Sequence, residues 1–250
     1  MCSPRENEEL VKDARERVQG GVLHELGILF LYHKTDKVTN RNLGSFVSSN
    51  PHHCIVPISV QKGMYFQSGY WLEHAEAWER LTNYEPKRCW YNMDMAYYEY
   101  YRMRRENCKR WLLVEWDVYC NGRVEDFFGT LWNEDFVSSN VHRPGGGWNW
   151  FKETRLLPDA VRPYAMGISP LAGTLVSDAC MERMVLDSWM LDVFCELRMA
   201  TLATQGGFKI KAHAKGASKV RWRVPPVVDG KGLWHPVKSQ HVPGNKRQHN

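Results

Sequence analysis

Trp111-Leu112-Leu113-Val114 is apolar at every position and runs directly into Glu115-Trp116-Asp117-Val118. Successive side chains of a strand point to opposite faces, so a strand of this kind has to be covered on both. That requirement selects an α/β fold in which helices flank a mainly parallel sheet and this strand lies near its centre. If the strand continues through the acids, Glu115 and Asp117 look the same way. Open α/β sheets take their ligands at the carboxyl ends of such strands. Two carboxylates there can hold a divalent cation through one or two oxygens and leave its other positions to water and phosphate. The pattern points to a metal-diphosphate site.

The rest of the chain supports one such domain. At 250 residues a single α/β unit with a sizeable core is expected. A first strand is predicted over Gly27–Tyr32, opening into polar His33-Lys34-Thr35-Asp36, and a second over residues 54–60, with a short helix over 40–49 between them. Helical spacing marks residues 66–81, and Asn92 is placed to cap the next helix. After the acids come a predicted strand over 135–141, helices within 177–203 and strands over 208–212 and 220–224. Alternating β and α patterns of this kind give a mainly parallel sheet with an added antiparallel portion. The expected organisation is a charged N-terminal arm or helix over 1–20, one domain over 21–240 with halves meeting near 118 and 119, and a basic tail over 241–250.

Composition narrows the function classes. The net charge of +5 favours an anionic partner, such as a nucleotide, a nucleic acid or an acidic glycan. Seven dispersed cysteines without a CxxC pair argue for reduced thiols and against a disulfide framework. Residues 1–20 are polar and charged, not a secretory signal, and the apolar run from Leu26 to Tyr32 is too short to span a bilayer. A cytoplasmic location is therefore expected. A nucleic-acid-binding role would draw on residues 219–223 and Lys246-Arg247, but the positive charge is diffuse and no reading motif accompanies it.

Three further segments follow the acids in order: Gly167-Ile168-Ser169-Pro170-Leu171-Ala172-Gly173, then Asp192-Val193-Phe194-Cys195-Glu196-Leu197-Arg198, then Leu233-Trp234-His235-Pro236-Val237-Lys238. With Glu115-Trp116-Asp117 as a DXD-like motif, this order resembles the glycosyltransferases of the A-type (GT-A) fold, which use a nucleotide-diphosphate sugar. The resemblance spans roughly residues 26–238. It implies a Rossmann-like first half, a Mn2+ or Mg2+ ion, a UDP-sugar as the favoured donor, and a glycan or other hydroxyl acceptor; no nucleic acid is expected. It implies Asp117 and His235 as metal ligands. Glu115 lengthens the family's acid, so both direct metal contact and contact through water or ribose stand. Lys238 would meet the diphosphate as a point charge.

The same resemblance places nucleotide contacts at Tyr32, Lys34 and Asp36, with Asp94 a candidate for the base or ribose. The competing role for Asp94 is an acid in the first turn of a helix, where the macrodipole favours it. Glu196 is the implied general base and Asp192 its runner-up, for direct displacement with inversion. Against this, Glu196 could instead pair with a neighbouring arginine on a helix surface. Trp148, Asn149 and Trp150 after the triple glycine would form either an acceptor wall or an aromatic anchor under a loop. A nucleotide-sugar-binding protein without transferase activity would keep the acids and lack a placed base.

Overall fold

A computed structural model describes residues 21–32, 35–59, 91–104, 106–188, 191, 193–213, 219–221 and 228–238, and eight positions between 5 and 19. The expected helix over 66–81, Lys34, Asp192 and the basic tail lie outside the described residues. In chain order the strands are β1 (Leu23–His24), β2 (Gly27–Tyr32), β3 (Cys54–Ser59), β4 (Asn107–Cys108), β5 (Arg110–Glu115), β6 (Tyr119–Asn121), β7 (Phe136–Ser138), β8 (Val141–His142), β9 (Gly167–Ile168), β10 (Thr174–Ser177), β11 (Ile210–Ala212), β12 (Lys219–Val220) and β13 (Gly232–His235). The α-helices are α1 (Lys37–Ser49), α2 (Met93–Met103), α3 (Val124–Phe128), α4 (Asp178–Asp187) and α5 (Cys195–Gln205).

Six strands form the central sheet in the order β11-β7-β10-β5-β2-β3. β3, β2 and β5 are parallel, as are β7 and β11, while β10 runs antiparallel to both β5 and β7. The protein is thus mixed α/β with a largely parallel sheet flanked by helices. The sheet is covered on both faces, as the apolar run requires. Leu29, Leu31, Trp111 and Leu113 belong to one core cluster with side chains of α2, α4 and α5. Ile28, Phe30, Leu112 and Val114 belong to another with Phe46 of α1, Val124 and Phe128 of α3, and Leu233 of β13. Successive residues of β2 and β5 alternate between the clusters, which is the period of a strand made visible.

One position shows how tightly β5 is seated. A side chain at Gly27 would place its Cβ 2.5 Å from the Trp111 ring, so the indole fills the space that glycine leaves. Trp111 Nε1 also donates to Asp178 Oδ1 at 2.8 Å, which joins β5 to the start of α4.

The structure revises several expected boundaries. α1 begins at Lys37 rather than near 40, because Asp36 caps it by accepting from Thr39 N at 2.8 Å. The strand expected over 135–141 is two strands, broken where Asn140 turns its backbone and side chain to Ser169. Asn92 is the N-cap of α2 but makes no capping hydrogen bond, since its Oδ1 accepts from Arg198 instead. No helix among the described residues is long and apolar enough to cross a membrane. Cys54, Cys108, Cys120, Cys180 and Cys195 are free thiols.

Candidate metal-diphosphate site

β5 ends at Glu115, and the chain then turns: Val118 N donates to Glu115 O at 3.0 Å. Asp117 therefore lies in a turn, and the expectation that a continuing strand aligns it with Glu115 is corrected. The turn nevertheless keeps the acids together, because it feeds β6, and β6 pairs antiparallel with β13 from Trp234↔Tyr119 to Gly232↔Asn121. That register brings His235 beside the turn. Val237 N then donates to Asp117 O at 2.7 Å, closing the connection. Ligand atoms of Glu115, Asp117 and His235 all lie within 4.8 Å of one another.

The neighbours of these residues favour a cation. Asp117 is 3% exposed, and its Oδ1 is buried without a hydrogen bond. His235 Nε2 stands 3.2 Å from that oxygen, near enough for charge attraction though not aligned as a hydrogen bond. His235 Nδ1 lies 2.7 Å from Arg221 O and donates to it, which directs Nε2 toward the acids. Two carboxylates and an imidazole are oxygen and nitrogen donors suited to Mn2+, and an orphaned buried oxygen gains a partner when one binds. The residues present fit a divalent cation.

Electrostatics at the site follow from burial and crowding. Burial, then the charge of Asp117, pushes Glu115 up to about 7, with His235 and Lys238 acting in the other direction. Burial alone would raise Asp117 as well, but His235 and Lys238 outweigh it and hold the carboxyl below its ordinary range. Burial would likewise lower His235, yet Asp117 and Glu115 carry the imidazole above its ordinary value. Lys238 reaches the same group, with Nζ 3.4 Å from Asp117 Oδ2 and 5.7 Å from the centre of the Trp116 ring.

Glu196 occupies the first turn of α5 and is 2% exposed. Its Oε1 accepts from Leu171 N at 3.0 Å, so the glycine-bounded loop 167–173 and α5 are fastened to each other. Burial, reinforced by the charge of Glu115, raises its carboxyl well above the ordinary range, and the Leu171 N–H only partly offsets this. The alternative in which Glu196 pairs with a nearby arginine on a helix surface is not what the structure contains. Arg198 is engaged elsewhere: Nε to Asp94 Oδ2 at 2.7 Å, NH2 to Asp94 Oδ1 at 2.6 Å and to Asn92 Oδ1 at 2.9 Å, and NH1 to Leu191 O at 3.1 Å.

That commitment also removes Asp94 from the candidate nucleotide contacts. It is 0% exposed with both oxygens on Arg198, so a base or ribose would have to break a buried ion pair to reach it. Asp36 uses its Oδ1 to cap α1, and Tyr32 packs, partly buried, at the end of β2. The two tryptophans after the triple glycine are partly buried and packed against the core. Trp148 stacks on His142 with centroids 4.7 Å apart, and Trp150 stacks on Phe194 at 4.2 Å.

Two residues not anticipated from the sequence complete the surroundings. Asn42 Nδ2 donates to Trp116 O at 2.9 Å and to Val237 O at 3.1 Å, joining both halves of the site to α1. Arg41 NH2 donates to Val237 O at 3.3 Å. An Asn on a helix carries no local sign of such a role; only its complete burial distinguishes it. No protein-family model and no curated protein matches this chain.

Proposed function

We propose that this protein is a metal-dependent glycosyltransferase of the GT-A type, moving a sugar from a nucleotide-diphosphate sugar to an acceptor hydroxyl. The observation that carries the proposal is the meeting of Glu115, Asp117 and His235 at the carboxyl end of a central strand, with a buried oxygen of Asp117 left without a hydrogen bond. Such a triad would hold Mn2+ or Mg2+, which offsets the negative charge that grows on a departing diphosphate. Lys238, exposed at the rim, adds a positive charge for the phosphates. A UDP-sugar is the favoured donor.

Glu196 is the proposed base. It shares the sheet face of Glu115, since α5 and the side chains at 111 and 113 lie in the same core cluster. Ionised, it would take the acceptor's proton as the hydroxyl attacks, and direct displacement would invert the anomeric centre. Its burial makes it a stronger base when ionised and lowers the ionised fraction near neutrality. The same burial favours a second reading, a nucleotide-sugar-binding protein without transferase activity, in which Glu196 stays protonated.

A thermal-shift screen of UDP-, GDP- and CMP-sugars, with and without manganese, separates these outcomes when followed by donor hydrolysis. A shift that needs both manganese and a nucleotide sugar, with release of the nucleoside diphosphate over time, supports the enzyme. A shift without turnover supports the binder. No manganese-dependent shift with any donor would contradict both.

A further inference from the structure

We propose that Lys238 holds the place of the divalent cation at Asp117 and gives that place up when the cation binds, carrying its charge to the diphosphate. Metal and diphosphate binding are then coupled through one side chain. This rests on the reading of Glu115, Asp117 and His235 as a metal site for a diphosphate ligand.

Two basic side chains face Asp117, one on each oxygen, and they differ in freedom. His235 Nε2 is 3.2 Å from Oδ1, and Lys238 Nζ is 3.4 Å from Oδ2. His235 is buried, and its other ring nitrogen is fixed on Arg221 O at 2.7 Å. The Lys238 side chain is 60% exposed. Its backbone is nonetheless held close, because Val237 N donates to Asp117 O at 2.7 Å and Val237 O accepts from Asn42 at 3.1 Å. Only the four-carbon stem of Lys238 is free to swing, over the face of Trp116. An ammonium 3.4 Å from one oxygen of Asp117 and a metal dication held by the same carboxylate repel each other strongly, so arrival of the metal drives Nζ away from Oδ2. The short tether keeps the expelled charge at the rim, where it would meet a diphosphate held by that metal. A strongly hydrated point charge on a flexible stem suits such an exchange better than a fixed guanidinium fork.

The proposal separates two affinities that a simple phosphate contact would not separate. Lys238→Met keeps the length of the stem and removes its charge, at an exposed position where the fold does not depend on it. Calorimetry should show Mn2+ alone binding about three- to tenfold tighter to Lys238→Met than to wild type, because the competitor for Asp117 is gone. UDP titrated in saturating Mn2+ should bind about ten- to a hundredfold more weakly, because a charge-assisted contact is lost. If Mn2+ affinity is unchanged or weaker while UDP affinity falls, Lys238 is a phosphate contact only and the exchange is overturned, with the metal-diphosphate reading left standing. If Mn2+ binds tighter but UDP affinity does not change, the transfer of charge to the diphosphate is overturned. If wild type binds no Mn2+, both the exchange and the reading beneath it fall.

Discussion

Asp94 and Asp117 are both enclosed carboxylates facing basic side chains, yet they are built to opposite ends. Asp94 meets Arg198 through two parallel contacts of 2.6 and 2.7 Å, with Asn92 Oδ1 and Leu191 O each taking a further guanidinium N–H. Both oxygens of Asp94 are answered from within the protein. Asp117 has basic side chains at 3.2 and 3.4 Å, one of them exposed, and an oxygen without a hydrogen bond. A geometrically complete ion pair leaves nothing for a ligand, whereas one held loosely leaves room for a better partner. The pair at Asp94 fastens α2 to α5; the arrangement at Asp117 can be improved by a cation from outside.

Glu196 stands between these cases, enclosed like Asp94 but with one backbone N–H from Leu171 rather than a charge partner. If it belongs with the working acids, Glu196→Gln preserves shape and removes the base, and turnover should fall about 10²- to 10⁴-fold with UDP-sugar affinity near wild type. Full turnover in Glu196→Gln would move the base role to Asp192 if Asp192→Asn then abolishes it. Turnover indifferent to both changes would end the direct-displacement account.

The complete pair should be the costlier one to break. Asp94→Ala leaves Arg198 buried without its counter-charge, at about 3–5 kcal/mol of stability. Asp94→Leu combined with Arg198→Met should recover much of that loss, since neither charge is left stranded. Urea unfolding compares these variants with Asp117→Ala, which should cost far less. Equal losses at positions 94 and 117 would erase the distinction drawn between them.

Acidification should act on the open site. A metal must displace the protons on Glu115, raised to about 7, and on His235, raised above its ordinary value. Mn2+ affinity should therefore fall as the pH drops from 8 to 6, by about tenfold for each proton displaced. Calorimetry in buffers of different ionisation enthalpy counts those protons. Affinity constant over that interval would show that neither group is a ligand.

The smallest expected effect is on stability. The folded-state value of Glu196 lies above its ordinary 4.5, so its contribution is fully present below that value and lost as pH rises through the folded-state value. Glu196→Gln carries no charge to bury. At pH 8 it should melt about 2–4 °C above wild type, with the gap closing toward pH 5. A gap that widens on acidification would contradict the raised value.

What the sequence made legible follows from range. Gly27–Tyr32 was readable as a strand because its six residues are apolar on both faces, and the acids at 115 and 117 because they interrupt such a run. The capping of α1 by Asp36 was also within reach of local pattern, in the spacing of Asp36 and Thr39. Contacts spanning the chain were not. Asp94 and Arg198 are 104 positions apart, and nothing near either one names the other. The same holds for Asn42, which meets Val237 across 195 positions. His235 was singled out by resemblance in order, while its seat beside Asp117 depends on the register of β13 against β6. Strand periodicity put Asp117 within the strand; the turn closed by Val118 N shows that period ending at Glu115.

The central claim is that the turn after β5 binds a diphosphate through a metal. Titrating UDP into wild type and Asp117→Asn, each with and without Mn2+, tests it most directly. The account predicts manganese-dependent binding in wild type and a loss of about tenfold or more in Asp117→Asn, with both metal-free proteins still unfolding in one cooperative transition. Equal UDP affinity in the two proteins with manganese present would contradict it.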